Sequence, residues 1–132
     1  MSVAVAHQAS AIGRLTLQEG AKEATLRQTE LAVLHVADAV DLDVIEAHRA
    51  SMGIEIAEVL REVGLEDLTW TLQVTTGEDV AEAVLDLVTD DTALLVIGAR
   101  RRSPVGKLFL GSVTQSIILR ADVPVLVVKA PD

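Results

Sequence analysis

The residues best suited to chemistry lie between positions 98 and 112, Gly98-Ala99-Arg100-Arg101-Arg102-Ser103-Pro104-Val105-Gly106-Lys107-Leu108-Phe109-Leu110-Gly111-Ser112. Arg100, Arg101, Arg102 and Lys107 are four of the 11 basic residues, and setting them aside from a net charge of -9 leaves -13 on the rest of the chain. A basic loop on so acidic a body should attract a small anion rather than a long polyanion. Gly98 and Gly111 allow the backbone to approach a ligand closely. Ser112 is read as opening a helix, where its hydroxyl could both cap and meet a phosphate. The free N–H groups there, including that of Val113, would also favour phosphate. Of the three arginines, one is expected to pair phosphate oxygens, bidentately as guanidinium groups do, and Arg100 and Arg101 are the candidates. A plainer reading stays open at this point: Gly98 turns the chain at the end of a strand, Gly111 permits close packing, and the arginines are solvated.

Other chemistry finds less support. Gly106-Lys107 is followed by Leu108 where a Walker A loop needs Ser or Thr, and Arg101 stands where its leading Gly should be. Gln8-Ala9-Ser10 after the first apolar run contains no glycine, which argues against a dinucleotide fingerprint and against an adenylate-transferring loop. His7 and His35 are read as edge-of-sheet histidines without a carboxylate at metal-ligand spacing, so no metal is expected. His48 is expected to face solvent, and Asp90-Asp91 to end a helix rather than form a dyad. Trp70 is expected in the core or an interface. No Ser-His-Asp set or general base can be assembled from position alone, so no enzyme activity is expected.

The elements that must position these residues follow from hydrophobic period. The runs 3–6, 31–36, 69–75, 93–97 and 124–128 read as strands, and 31–36 is apolar enough to be buried on both faces. Between them lie helical stripes. Leu17, Gly20, Ala21 and Ala24 form one, behind a Ser10 cap. Ile45, Met52, Ile56, Val59, Leu60 and Val63 form the next, stopped by Gly64. Val80, Ala83, Val84, Leu87 and Val88 follow Glu78-Asp79, and the last helix runs over about 113–120. Strict β-α alternation predicts an α/β fold: a five-stranded parallel doubly wound sheet in a three-layer α/β/α sandwich, one domain over 1–132. Ligands of such sheets collect at the carboxyl ends of the strands, at the switch point.

Composition narrows the partners. The chain has 132 residues, half of them hydrophobic, with no cysteine and only Trp70 and Phe109 as aromatics. The acidic balance and the lack of stacking platforms argue against nucleic acid. No apolar run reaches the roughly 18 residues of a membrane span. Met1 to Gly13 lacks a basic start before its Val/Ala stretch, so no secretory signal is expected. A cytoplasmic location is the expectation.

Leu94-Leu95-Val96-Ile97-Gly98, Gly111-Ser112 and Val123-Pro124-Val125-Leu126-Val127-Val128 together resemble the C-terminal half of the universal stress protein family. The family signature is Gly, two residues, Gly, nine residues, Gly, then Ser or Thr. Gly98, Gly111 and Ser112 match it, and Arg101 replaces the middle glycine. The resemblance covers essentially the whole chain. It implies a stress-response protein that binds ATP or AMP, with Mg2+ as a potential companion. Phosphate would be held at Gly98, Arg100, Arg101, Gly111, Ser112 and Val113, and adenosine near Ala6, His7, Gln8, Val36 and Ile97. It also implies a homodimer through the last strand, Val123 to Val128, acting as a sensor or adaptor. Gln8 stands where nucleotide-binding members carry Asp. Gln8 and Arg101 therefore keep an alternative open, an interaction protein that retains the fold and has lost the nucleotide.

Overall fold

The computed structural model describes residues 1–8, 10–38, 41–99 and 110–129. Five strands alternate with four helices: β1 (Ser2–Ala6), α1 (Ala11–Leu26), β2 (Glu30–Ala37), α2 (Leu42–Glu62), β3 (Trp70–Thr76), α3 (Val80–Leu87), β4 (Thr92–Ala99), α4 (Ser112–Arg120) and β5 (Val125–Lys129). All strand pairs are parallel and the sheet order is β3-β2-β1-β4-β5. The expected α/β architecture is therefore present. The chain winds outward through β2 and β3, then returns to β1's other side with β4, so the switch point lies between β1 and β4.

Side chains alternate across the sheet and divide the core in two. Val3, Val5, Leu31, Val33, Leu94 and Val96 face Leu17, Ala21 and Ala24 of α1 and Ile56, Val59 and Leu60 of α2. Ala4, Ala32, Leu34, Leu95 and Ile97 face Ala81 and Val84 of α3 and Ile117 of α4. Ala4 and Ala6 keep β1 small on the α3/α4 face, and on the other face Gly20 of α1 makes room for Val5, whose Cγ2 a Cβ at position 20 would meet. Burial of this apolar surface, at about 25 cal/mol per Å2, is the main stabilising contribution.

Local signals set most boundaries. The Ser10 side chain accepts from the Gly13 amide at 3.2 Å, and Asp79 accepts from the Glu82 amide at 3.0 Å, so both cap their helices. Gly64 ends α2 with φ of 73°, the left-handed conformation that glycine adopts without strain. Gly98 differs from its expected place. It lies inside β4, paired with Val128 of β5, and does not end the strand. Its missing side chain serves packing: a Cβ there would come within 2.6 Å of Thr16 Oγ1 and 2.8 Å of Ile12 Cγ1. Helix α1 is thus seated directly against the end of β4.

Candidate functional site

The carboxyl ends of β1, β2 and β4 open into a cavity of about 260 Å3 at the switch point. Ala6, Val36 and Ile97 stand on the sheet face turned toward α3 and α4, and Val80, Val84, Val113 and Ile117 close the cavity from those helices. Gln8, His7, His35, Gly98 and Thr114 supply polar atoms at its lining. The sheet places the expected adenosine residues Ala6, His7, Gln8, Val36 and Ile97 around one space, together with Gly98 and Val113 from the expected phosphate set. Arg100 and Arg101 fall outside the described residues, as do Arg102 and Lys107.

Helix α4 begins at this cavity. Its cap is Gly111, at φ 81° and ψ 157°, and not Ser112, which is the first helical residue and exposed. That corrects the expectation that the Ser112 hydroxyl would serve as the cap. The left-handed φ explains why glycine suits position 111. With no side chain at the cap, the first-turn amides are left to backbone, water or an anion.

Thr114 is a residue that sequence reasoning missed. It is buried, and its hydroxyl donates to the Gly98 carbonyl at 3.2 Å. This bond ties the first turn of α4 to β4, across the 100–109 segment. A Thr two positions beyond the expected Ser carries no local signal that would set it apart.

The histidines stand at the carboxyl ends of neighbouring strands, as expected, and in addition they contact each other. Ala6 pairs with Leu34, so His7 and His35 are the next residues across β1 and β2. Both rings lie on the α1/α2 side of the sheet, as Val5 and Val33 do one pair earlier. His7 Nδ1 and His35 Nδ1 are 3.1 Å apart, a hydrogen bond in which one ring donates. Among the described residues His7 Nε2 is buried without a hydrogen-bond partner, 3.8 Å from Glu55 Oε1 of α2. Burial lowers the pKa of His7, opposed by Glu55. Burial also lowers that of His35, with repulsion from His7 adding to it. Both rings are therefore neutral near pH 7. The carboxylate that sequence spacing did not supply comes from Glu55, 48 positions after His7, through α2 packing over the strand ends. His48, on the same helix, is exposed as expected.

Comparison with known proteins gives consistent relatives. The family model described as "Universal stress protein family" matches residues 1–129. A universal stress protein of Mycolicibacterium smegmatis is 37% identical over 128 residues, covering 96% of each chain. A universal stress protein structure from Archaeoglobus fulgidus superposes with a TM-score of 0.76 at 27% identity, covering 96% of this chain and 97% of that one. A universal stress protein from the same organism in complex with dAMP has a TM-score of 0.71 at 24% identity, with 96% of each chain covered. A universal stress protein in complex with cAMP has a TM-score of 0.72 at 18% identity, covering 97% of this chain and 96% of that one. The last two likenesses bear on the fold.

Proposed function

The chain belongs to the universal stress protein family, and from that premise we propose that it binds an adenine nucleotide, ATP or AMP, in the switch-point cavity and acts as a dimeric sensor or adaptor in a stress response. The observation that carries this reading is the meeting of an apolar slot with an uncapped helix start. Ala6, Val36, Ile97 and Val84 offer flat apolar walls suited to a purine. Gly111 leaves the first-turn amides of Ser112 and Val113 for a phosphate. The cavity volume of about 260 Å3 is near the lower end for small-molecule sites, about 300 Å3. It would take the base and sugar, with the phosphate tail passing out at the start of α4, and Arg100 and Arg101 are the side chains proposed to pair with that tail. Mg2+ would then accompany the tail and not the enclosed part.

A second reading is an interaction protein of the same family that no longer binds nucleotide, and Gln8 favours it. Gln8 is exposed at the cavity and brings an amide where nucleotide-binding members carry a carboxylate. A thermal shift with ATP and magnesium separates the two. Ligand at about 100 times its dissociation constant adds about 2.7 kcal/mol of stability. The absence of any shift at millimolar nucleotide would favour the interaction protein.

A further inference from the structure

We propose that His7 and His35 act as a one-proton pair beneath the switch-point cavity, balanced by Glu55, and that uptake of this proton strengthens the binding of an anionic ligand above it. The proposal rests on the nucleotide reading for its ligand and on side-chain geometry for its switch.

Two imidazole Nδ1 atoms 3.1 Å apart can share only one hydrogen between them. In the neutral pair, His35 donating to His7 is the better arrangement, because it leaves the His7 proton on Nε2, facing the Glu55 carboxylate at 3.8 Å. The opposite tautomer would aim a buried lone pair at a negative charge. A proton entering at His35, the less buried ring, can be passed inward. It adds to His35 Nε2, and the Nδ1 proton of His35 moves to His7 Nδ1. His7 is then an imidazolium that donates to His35 through Nδ1 and, once the Glu55 carboxylate draws in from 3.8 Å, to Glu55 through Nε2. The buried nitrogen that has no partner in the neutral state gains one. A second proton would place two cations side by side and is resisted.

Charged groups around the pair fit this assignment. Glu55 supplies the counter-charge from α2, and His48 on the same helix is an exposed titratable neighbour of His35. On α1, Arg14 is engaged by Glu62 at 2.8 Å. β1, β3 and β4 carry no titratable side chain, and β2 contributes His35 and, at its far end, Glu30. Among the described residues no three His, Asp or Glu side chains converge to hold a metal ion. The chemistry left to this cluster is that of a proton. Because both histidines also line the cavity, an anion bound there would favour the protonated pair, and by linkage the proton favours the anion.

The test has two arms. Imidazole NMR titration of the ligand-free protein should show His7 and His35 moving together with one midpoint, below the ordinary imidazole value of about 6.5. Glu55→Gln should move this midpoint further down by removing the counter-charge. Separate, independent midpoints for the two rings, or no response to Glu55→Gln, would overturn the pair. Calorimetry then compares cyclic AMP, whose phosphodiester keeps one fixed charge, with uncharged adenosine. Between about pH 8 and about pH 6, cyclic AMP should bind more tightly by up to about tenfold, the change that one unit of pKa represents, and adenosine should not. His35→Gln should flatten the cyclic AMP response. Equal pH responses for the two ligands would overturn the coupling. Binding of neither at any pH would overturn both the nucleotide reading and the coupling, while the NMR arm would still decide whether the pair shares one proton.

Discussion

Thr114 donates its hydroxyl proton to the carbonyl of Gly98 over 3.2 Å, and this buried bond fixes where α4 starts relative to the end of β4. The helix start and the sheet edge are the two halves of the candidate site, so their relative position matters for any ligand. Thr114→Val keeps the shape and leaves a buried carbonyl unpaired, at a cost of about 1–3 kcal/mol. Chemical denaturation should show that loss, whereas an unchanged midpoint would mean the bond contributes nothing.

Gly98→Ala should destabilise by about 1–3 kcal/mol, since its methyl would lie 2.6 Å from Thr16 Oγ1 and 2.8 Å from Ile12 Cγ1. Gly64→Ala offers a contrast. No described atom lies within 4 Å of a Cβ at Gly64, so its cost is that of a φ of 73°, about 1–2 kcal/mol. In double-mutant cycles, trimming Ile12 to Ala, which removes Cγ1, should recover part of the Gly98→Ala loss and none of the Gly64→Ala loss. Equal recovery in both would refute a contact origin.

Ser112→Ala should weaken ATP binding by roughly tenfold, the loss of one hydrogen bond to a charged group, and more than His7→Ala does. Ser112 begins α4, whereas the His7 ring lies on the α2 side of the sheet against Glu55. Titration calorimetry ranks the two variants, and the reverse order would remove the phosphate assignment. Arg101→Gly tests the departure from the glycine signature: weaker binding marks the side chain as a participant, and tighter binding as an obstruction.

Stability should fall on acidification below about pH 6.5. Burial holds His7 and His35 below that ordinary imidazole value in the fold. The unfolded chain therefore takes up protons first as pH drops through 6.5, which favours unfolding. The loss levels off beneath the lowered native values. Urea midpoints measured from pH 8 to pH 5 should show this slope, and His7→Asn combined with His35→Gln should reduce it. A slope identical in the double variant would assign the acid sensitivity to other groups.

Among the described residues β5, Val125–Lys129, is an edge strand bonded only to β4. Its free side should pair with a second copy, giving twice the 14.0 kDa chain mass in solution. Light scattering at micromolar concentration checks this, and a solely monomeric mass would rule out the strand-mediated dimer.

Period and caps were legible in the residues alone because they depend on near neighbours. Doubly apolar runs such as 31–36 marked parallel strands, and Ser10, Asp79 and Gly64 bounded helices through bonds or dihedrals within a few residues. The glycine and serine spacing at 98, 111 and 112 pointed to the sheet edge where the cavity lies. Strand order was beyond such reading. Only the parallel pairing of β1 with β2 puts His7 against His35, 28 positions away, and only the packing of α2 over the strand ends brings Glu55 to His7. Gly98 shows the same division at one residue. Its type was visible, but its purpose came from α1 lying across it, a contact with Ile12 and Thr16 that depends on how the whole chain winds.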